Sequence, residues 1–529
     1  MLKSKFLRKI VVMLVCAFMM VSLCACGASK GNSSGNTNPP SPDNLVIEVF
    51  GGGYGTEWLY AIAREFERNT GNKVSITVQM GEQGISNMST SFQSGVSETD
   101  IYFTKGSVFN GVYSGKTRVN GVNYDCAYAD LTDVYNAEIE GSDMTYKEKM
   151  DASYEEFYNC DGKYYCTSWT AGIMGMIVNV DVWNRAGLTS FPRTTDEMFE
   201  MADSLKSQNI VPFIYSAPAE YWTSIAPVFF AQYEGSERME QIYQGYDSNG
   251  DRYTDRIADF EGYYETLVLY DRLLKKENNY MHPASRDADF TNMQGMFLQG
   301  MAALSPNGDW LEKEMQQNYQ NANIRYLKMP VISALSKRCS FKNASDADAK
   351  LRELIDYVDS HASGYDGKPS WATDNDVDIV RDSRSLELSA GAEHIAYIPC
   401  YSNQVEMAKQ FLIYMATDEA MSIYRNATGG SDLPFKWATE PTERNYSTFR
   451  NSILDVSART KFFIPSTKDR FFALGGLNFY FALDVSGNRY VYKFSAINAK
   501  SYMSPMAYYL AEQEFFQKNI STIKKSAGV

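Results

Sequence analysis

The chain is poor in histidine, with three in 529 residues, and short of positive charge. His282, His361 and His394 stand apart and none lies in an HExxH arrangement, so no local zinc-hydrolase signature exists. The eight cysteines include no CxxC pair, which argues against a zinc ribbon. A glycine-rich turn, Gly51–Gly55, lacks the GxGxxG spacing, since position 56 is Thr, and lacks GKS or GKT, which argues against a phosphate loop. Asp247-Ser248-Asn249-Gly250-Asp251 begins like a calcium loop, but Arg252 stands where the sixth-position glycine is required, and the segment reads as a solvated turn. Neither a metal nor a cofactor is therefore expected. Lys and Arg number 50 against 64 Asp and Glu, a net charge of −14. That balance suits neither nucleic acid nor an anionic lipid surface, because phosphate binding needs clustered positive charge. Beyond the first segment no run is long and apolar enough to span a membrane.

The N-terminus reads as an address. Residues 1–9 are basic, and Ile10–Leu23 is apolar apart from Ser22. That run is short of the ~20 residues a membrane span needs, and the layout is that of a secretory signal peptide over residues 1–25. Its end, Leu23-Cys24-Ala25-Cys26-Gly27, resembles the bacterial lipobox, with Cys26 as the lipidated residue; Cys24 fits less well because Leu23 would precede it. A diacylglyceryl thioether on Cys26 would hold the protein to the outer face of a cell membrane. Residues 26–44, rich in Gly, Ser, Asn and Pro, read as a flexible tether. The tether and lipobox point to a one-membrane bacterium. Without its signal the chain carries −18, since the first 25 residues hold four positive charges and no negative one. Of the cysteines, Cys126, Cys160, Cys166, Cys339 and Cys400 remain, an odd number that leaves at least one free. Cys160 and Cys166 are the closest pair, but a two-residue Asp161-Gly162 hairpin would pair Cys160 with Lys163.

At roughly 150 residues per domain the body has room for two to four domains. Leu45–Phe50 reads as a strand. Leu59, Ile62, Ala63 and Phe66, at i, i+3, i+4 and i+7, mark a helix that Gly71 ends. Val74, Ile76 and Val78 alternate as a strand, Ile85, Met88 and Phe92 mark a second helix up to Gly95, and Ile101–Phe103 is a strand. This βαβαβ order implies a parallel sheet covered by helices. A second α/β region holds a buried strand at Ile173–Val180, a Thr194–Glu197 capping box opening a helix, and a strand at Val211–Tyr215. Residues 333–389 differ in character, with one amphipathic helix (Leu351, Leu354, Ile355, Val358) between Asp-rich loops. Ile395–Ile398, a helix through Val405–Met415, and a final helix near Pro505–Lys518 follow.

Four tryptophans, Trp58, Trp169, Trp222 and Trp310, sit near predicted element ends with polar or small flanks: Glu57, Thr170, Glu220 and Asp309. An indole face stacks on the C–H face of a pyranose, and carboxylates accept from its hydroxyls, so this pattern suits a sugar. Each tryptophan taken alone is as compatible with core packing.

Three ordered motifs carry a family resemblance. Gly162-Lys163-Tyr164-Tyr165, Ile177–Trp183, Ala186-Gly187-Leu188 and Pro192–Glu197 resemble the "GKxYG…YNKDLFEKAGL…PPKTWDE" stretch of family 1 extracellular solute-binding proteins. These are the carbohydrate-binding lipoproteins of bacterial ABC importers, of maltose-binding type. Phe297–Ala303 through Gly308-Asp309-Trp310 resembles that family's "F..GKAAM…G.W". Ala408–Met415, Thr417-Asp418-Glu419, Thr428-Gly429-Gly430 and Leu433-Pro434 resemble its "A.EFLKYLTSPE…TG.LP". Val178 replaces the usual tyrosine before Asn179, and Cys166 the usual glycine after GKxY. The likeness covers about Leu45–Pro330 and His394–Phe435, not 333–389 or the last 90 residues.

The resemblance implies a two-lobe periplasmic-binding-protein-like α/β fold of type II, each lobe a mostly parallel sheet flanked by helices. It implies a first lobe of 45–165 plus 394–428 and a second of 166–392 plus 429–529. It further implies a binding protein rather than an enzyme, a monomer that closes on a carbohydrate, expected to be an oligosaccharide, and delivers it to an ABC permease. Trp310 is then the stacking platform, with Trp222, Trp58 and Trp169 as further aromatic candidates. Asp309, Asp100, Glu57 and Glu82 are candidate hydroxyl acceptors, and Gly53 and Tyr54 line the cleft. The alternatives are a lipoprotein for peptides or another solute, or a surface carbohydrate-active hydrolase.

Overall fold

The computed structural model describes residues 44–219, 221–439, 441, 445–465, 468–475 and 503–529. The signal, Cys26, the tether up to residue 43, and Glu220 lie outside them. The βαβαβ order is present: β1 (Asn44–Phe50), helix Glu57–Thr70, β2 (Lys73–Gln79), helix Gly81–Ser94 and β3 (Ile101–Lys105). In β1, Leu45, Ile47 and Val49 point inward at period two. The first helix buries Leu59, Ile62, Ala63 and Phe66, the anticipated stripe, together with Trp58. Gly71 ends it in the left-handed conformation, its N–H bonded to the Glu67 carbonyl, and Gly95 ends the second helix likewise.

Two short strands, β4 (Thr117–Val119) and β5 (Val122–Tyr124), form a separate hairpin. The first sheet has the order β2-β1-β3-β11-β6, with β6 at Thr167–Ser168 and β11 at His394–Tyr397. β1 and β3 pair in parallel, whereas β11 pairs antiparallel with both β3 and β6. The first sheet thus reaches beyond residue 165, and the hydrophobic core beside it runs on to Phe435, beyond 428.

The second sheet is built on β7 (Ile173–Asn179), buried at every position. β7 pairs antiparallel with β8 (Leu304–Gly308), β9 (Ile324–Leu327) and β10 (Leu386–Ser389), and β10 pairs in parallel with β12 (Lys461–Phe463). This sheet is therefore mainly antiparallel rather than mostly parallel. Its strands come from long excursions of the chain, not from successive right-handed crossovers, so direction is set segment by segment. Val211–Tyr215 is not a full strand: Phe213 makes isolated bridges to Met281 and Leu304, and Pro212 has no N–H to offer a ladder. Thr194 does cap helix Thr195–Ser207, accepting from Glu197 N, but the Glu197 carboxylate turns to the Arg193 backbone and guanidinium instead of closing the box.

Residues 333–389 supply helices Ala347–Ser360 and Asp374–Ser385 and the strand β10, so the segment is structural to the second sheet. The final helix extends over Pro505–Ala527 and packs on helix Glu261–Leu274. Cys160 pairs with Lys163 across its turn, and all five cysteines from Cys126 to Cys400 are free thiols. Among the described residues, no helix is long and apolar enough to cross a membrane.

Candidate ligand cleft

The chain crosses between the two sheets at three places that lie against one another. Ala390 N and Gly391 N donate to the Gly172 carbonyl, at 2.8 and 3.1 Å, and Ala171 N donates to the Asp432 carbonyl at 2.8 Å. The approach is close enough to require glycine: a Cβ on Gly391 would overlap the Thr170 carbonyl, and one on Gly172 would overlap the Tyr54 hydroxyl.

Asp309 sits on this crossing, directly after β8. Its Oδ1 accepts from the Tyr54 hydroxyl at 2.7 Å and from Ile173 N at 3.3 Å. Its Oδ2 accepts from the Ser431 hydroxyl at 3.1 Å and pairs with Arg450 Nη1 at 3.2 Å. Burial pushes the carboxyl up, while Arg450 and the hydrogen bonds pull it down. Both oxygens of this candidate hydroxyl acceptor are thus engaged by the protein, and Asp309 fastens the first-lobe turn to the base of the second lobe.

The Gly51–Gly55 turn brings the two sides together. Gly53, at φ +67°, lets Trp310 come up to its backbone; an added Cβ would lie 3.4 Å from Trp310 Cβ. Gly53 N donates to Glu314 Oε1 at 3.3 Å. Glu314 Oε2 accepts from Gln294 Nε2 at 2.8 Å. The backbone contact anticipated for a ligand at Gly53 is therefore made here by the second lobe. Tyr54 is fully buried, edge-on to Trp310 and to Trp169.

Trp310 is partly exposed and touches both cores. It borders a cavity of 170 Å³ lined also by Tyr221, Lys105, His394, Met174 and Leu388. Burial raises the Tyr221 phenol above the ordinary range, while the neighbouring Trp310 and Gln294 side chains pull it down. Burial also raises the Glu314 carboxyl, against the pull of Lys105. His394 Nδ1 lies 3.0 Å from the Ala390 carbonyl, and burial and Lys105 push the ring down to about 3, so it is neutral at pH 7. A cation, a neutral imidazole, a phenol and an indole face thus line the cavity, a set that can pair both donors and acceptors of a hydroxyl-rich solute.

The other sequence candidates lie elsewhere. Trp58 and Trp169 are fully buried and stacked on one another, centroids 5.6 Å apart at 14°. Their indole N–H groups go to the Gly55 and Thr104 carbonyls. Trp222 is buried in the second core against Phe213 and Tyr270. None of the three lines the cavity, because each is packed into the core beside its own sheet. Asp100 is buried at the start of β3, accepting from Val46 N and the Ser402 hydroxyl. Glu57 is exposed and faces Lys313 across the cleft at 3.6 Å. Glu82 is exposed in the first turn of its helix, near enough for its charge to act on Tyr221. Tyr221, Glu314, Lys105 and His394 were missed. A signal existed for Glu314, which lies four residues after Trp310, one helical turn on. Among the described residues no group of His, Cys, Asp and Glu is arranged to hold a metal ion.

Two lobes with crossings at the base of a cleft define a solute-binding architecture. Residues 52–422 match the family model for bacterial extracellular solute-binding proteins, and the chain belongs to that family. It is 25% identical over 254 residues to the diacetylchitobiose binding protein DasA of Streptomyces coelicolor, a match that covers 48% of this chain and 53% of DasA. The match thus spans about half the length of that relative. Among solved structures, the solute-binding protein RafE in complex with raffinose aligns with a TM-score of 0.55 at 16% identity, over 90% of this chain and 99% of RafE. A chitin oligosaccharide binding protein aligns with a TM-score of 0.57 at 14% identity, over 90% and 100%. At these identities the likeness is one of fold.

Proposed function

We propose that the protein is a carbohydrate receptor of an ABC importer: it captures a sugar, an oligosaccharide by preference, between its lobes and delivers it to a membrane permease. The observation that carries this reading is the Trp310 indole in the cleft, beside Tyr221, Lys105 and His394. Stacking on an indole with polar groups around it suits a pyranose more than a peptide. The binding of diacetylchitobiose by DasA and of raffinose by RafE supports the same class. The cavity, at 170 Å³, is below the roughly 300–1,000 Å³ of ordinary ligand pockets, so loading requires the lobes to part. The ligand then favours the closed form by its better contacts there. In this reading Cys26 carries the lipid that keeps the monomer at the outer face of the membrane.

A thermal-shift screen of the chain from residue 27 onward against mono- and oligosaccharides tests it. A bound sugar at one hundred times its Kd stabilises by about 2.7 kcal/mol. Trp310→Ala should remove most of the affinity, at least tenfold by calorimetry, with the fold intact. Unchanged affinity would refute the stacking role, and consumption of the sugar would point to a hydrolase.

A further inference from the structure

The family match ends at residue 422, yet part of the cleft wall is built after it. β12 extends the second sheet beside β10, with Lys461 opposite Leu386. The chain then emerges at Ile464 and Pro465, which line the same cavity as Trp310, Tyr221 and His394. Ile464 also lines a second, larger cavity of 510 Å³, together with Phe157, Cys160, Lys461, Lys468 and Asp469. Ile464 and Phe157 border both spaces.

This wall is attached to both lobes. Ile464 and Ala473 pack against the first-lobe core, whereas Phe471 and Phe472 are buried in the second-lobe core. Lys468 Nζ donates to the Glu156 carbonyl of the first lobe. Asp469 pairs with Arg252 at 2.8 Å and accepts from the Tyr253 hydroxyl on the second. The described residues around Ile464 are therefore anchored to both lobes, and the smaller chamber, at 170 Å³ against 510 Å³, is the one that takes the shorter part of a ligand.

We propose that Ile464, which with Phe157 borders both chambers, is a specificity-determining partition that sets how many sugar rings the cleft accepts: one ring against Trp310, with any further rings passing Ile464 into the outer chamber. This rests on the carbohydrate reading above. The geometry follows from apolar bulk alone: a smaller side chain at 464 merges the chambers, and a larger one seals the inner from the outer.

The test uses the chain from residue 27 onward, wild type, Ile464→Gly and Ile464→Trp, with calorimetry against two homologous series of one to five rings, chito-oligosaccharides and malto-oligosaccharides, plus raffinose. Circular dichroism and thermal melts establish that each variant is folded. The expected result is a change of preferred length in opposite directions. Ile464→Gly should raise the affinity ratio of longer to shorter ligands at least tenfold, and Ile464→Trp should lower it at least tenfold. An unchanged ranking of lengths in a folded variant that still binds would overturn the partition while leaving the carbohydrate reading intact. No binding of any of these sugars by the wild type would overturn the partition and count against the carbohydrate reading. If only one variant folds, its direction alone decides.

Discussion

Replacing Glu387 by glutamine should remove a pH dependence of stability that the wild type carries in its second sheet. Glu387 lies in β10 and is fully buried. Its Oε1 accepts from Met329 N at 2.7 Å and its Oε2 lies 3.1 Å from the Tyr326 hydroxyl. Burial outweighs these bonds and the nearby charges of Arg384 and Lys328, and pushes the carboxyl up from 4.5 to about 7. Between those values the folded protein holds a proton that the unfolded chain has released. The folded state binds more protons, so stability falls as pH rises through this window. At 1.36 kcal/mol per pKa unit, the gap between 4.5 and about 7 amounts to about 3 kcal/mol. Glutamine reproduces the protonated acid: its oxygen accepts from Met329 N and its amide donates to Tyr326. The assay is urea denaturation of both proteins from pH 4.5 to 8. His394, whose folded value of about 3 makes stability fall as pH drops below 6.5, is common to both and cancels in the difference. The variant should gain on the wild type by about 3 kcal/mol between pH 4.5 and 8. A difference that stays flat with pH would refute the reasoning.

Two further substitutions separate packing from binding. Trp58→Ala should cost about 3–5 kcal/mol of stability by denaturant titration, as a buried aromatic deletion does, while the folded fraction keeps its ligand affinity. Gly172→Ala places a methyl against the Tyr54 hydroxyl where the crossings meet, and should cost about 1–3 kcal/mol, measured as a lower midpoint. A Gly172→Ala protein as stable as the wild type would mean that Tyr54 can leave Asp309 freely.

The local pattern of the chain was legible because it depends on neighbours in sequence. Inward residues of β1 at period two, the stripe of helix Glu57–Thr70, and the glycine caps at Gly71 and Gly95 are consequences of backbone geometry. The Cys160–Lys163 pairing followed from a two-residue turn in the same way. The tryptophans show where that reasoning stops. Polar flanks describe what adjoins Trp58 in sequence, but its place one helical turn before Ile62 puts it on the buried stripe. Trp222 likewise opens a helix that is apolar nearly all round, the pattern of a core helix.

The family, the two-lobed α/β plan and the elements of the first lobe were readable from the amino-acid sequence, since each is written in short-range spacing or in motifs that stay contiguous. The direction of the strands in the second sheet emerged only in three dimensions, because it depends on how distant segments return to β7. The partners of Asp309, Tyr54, Ser431 and Arg450, come to it from distant stretches of chain, and the fold leaves Trp310 partly exposed while it buries the other three candidate indoles. Burial and pairing are properties of the space around a side chain, and that space is assembled from segments that sequence spacing does not relate.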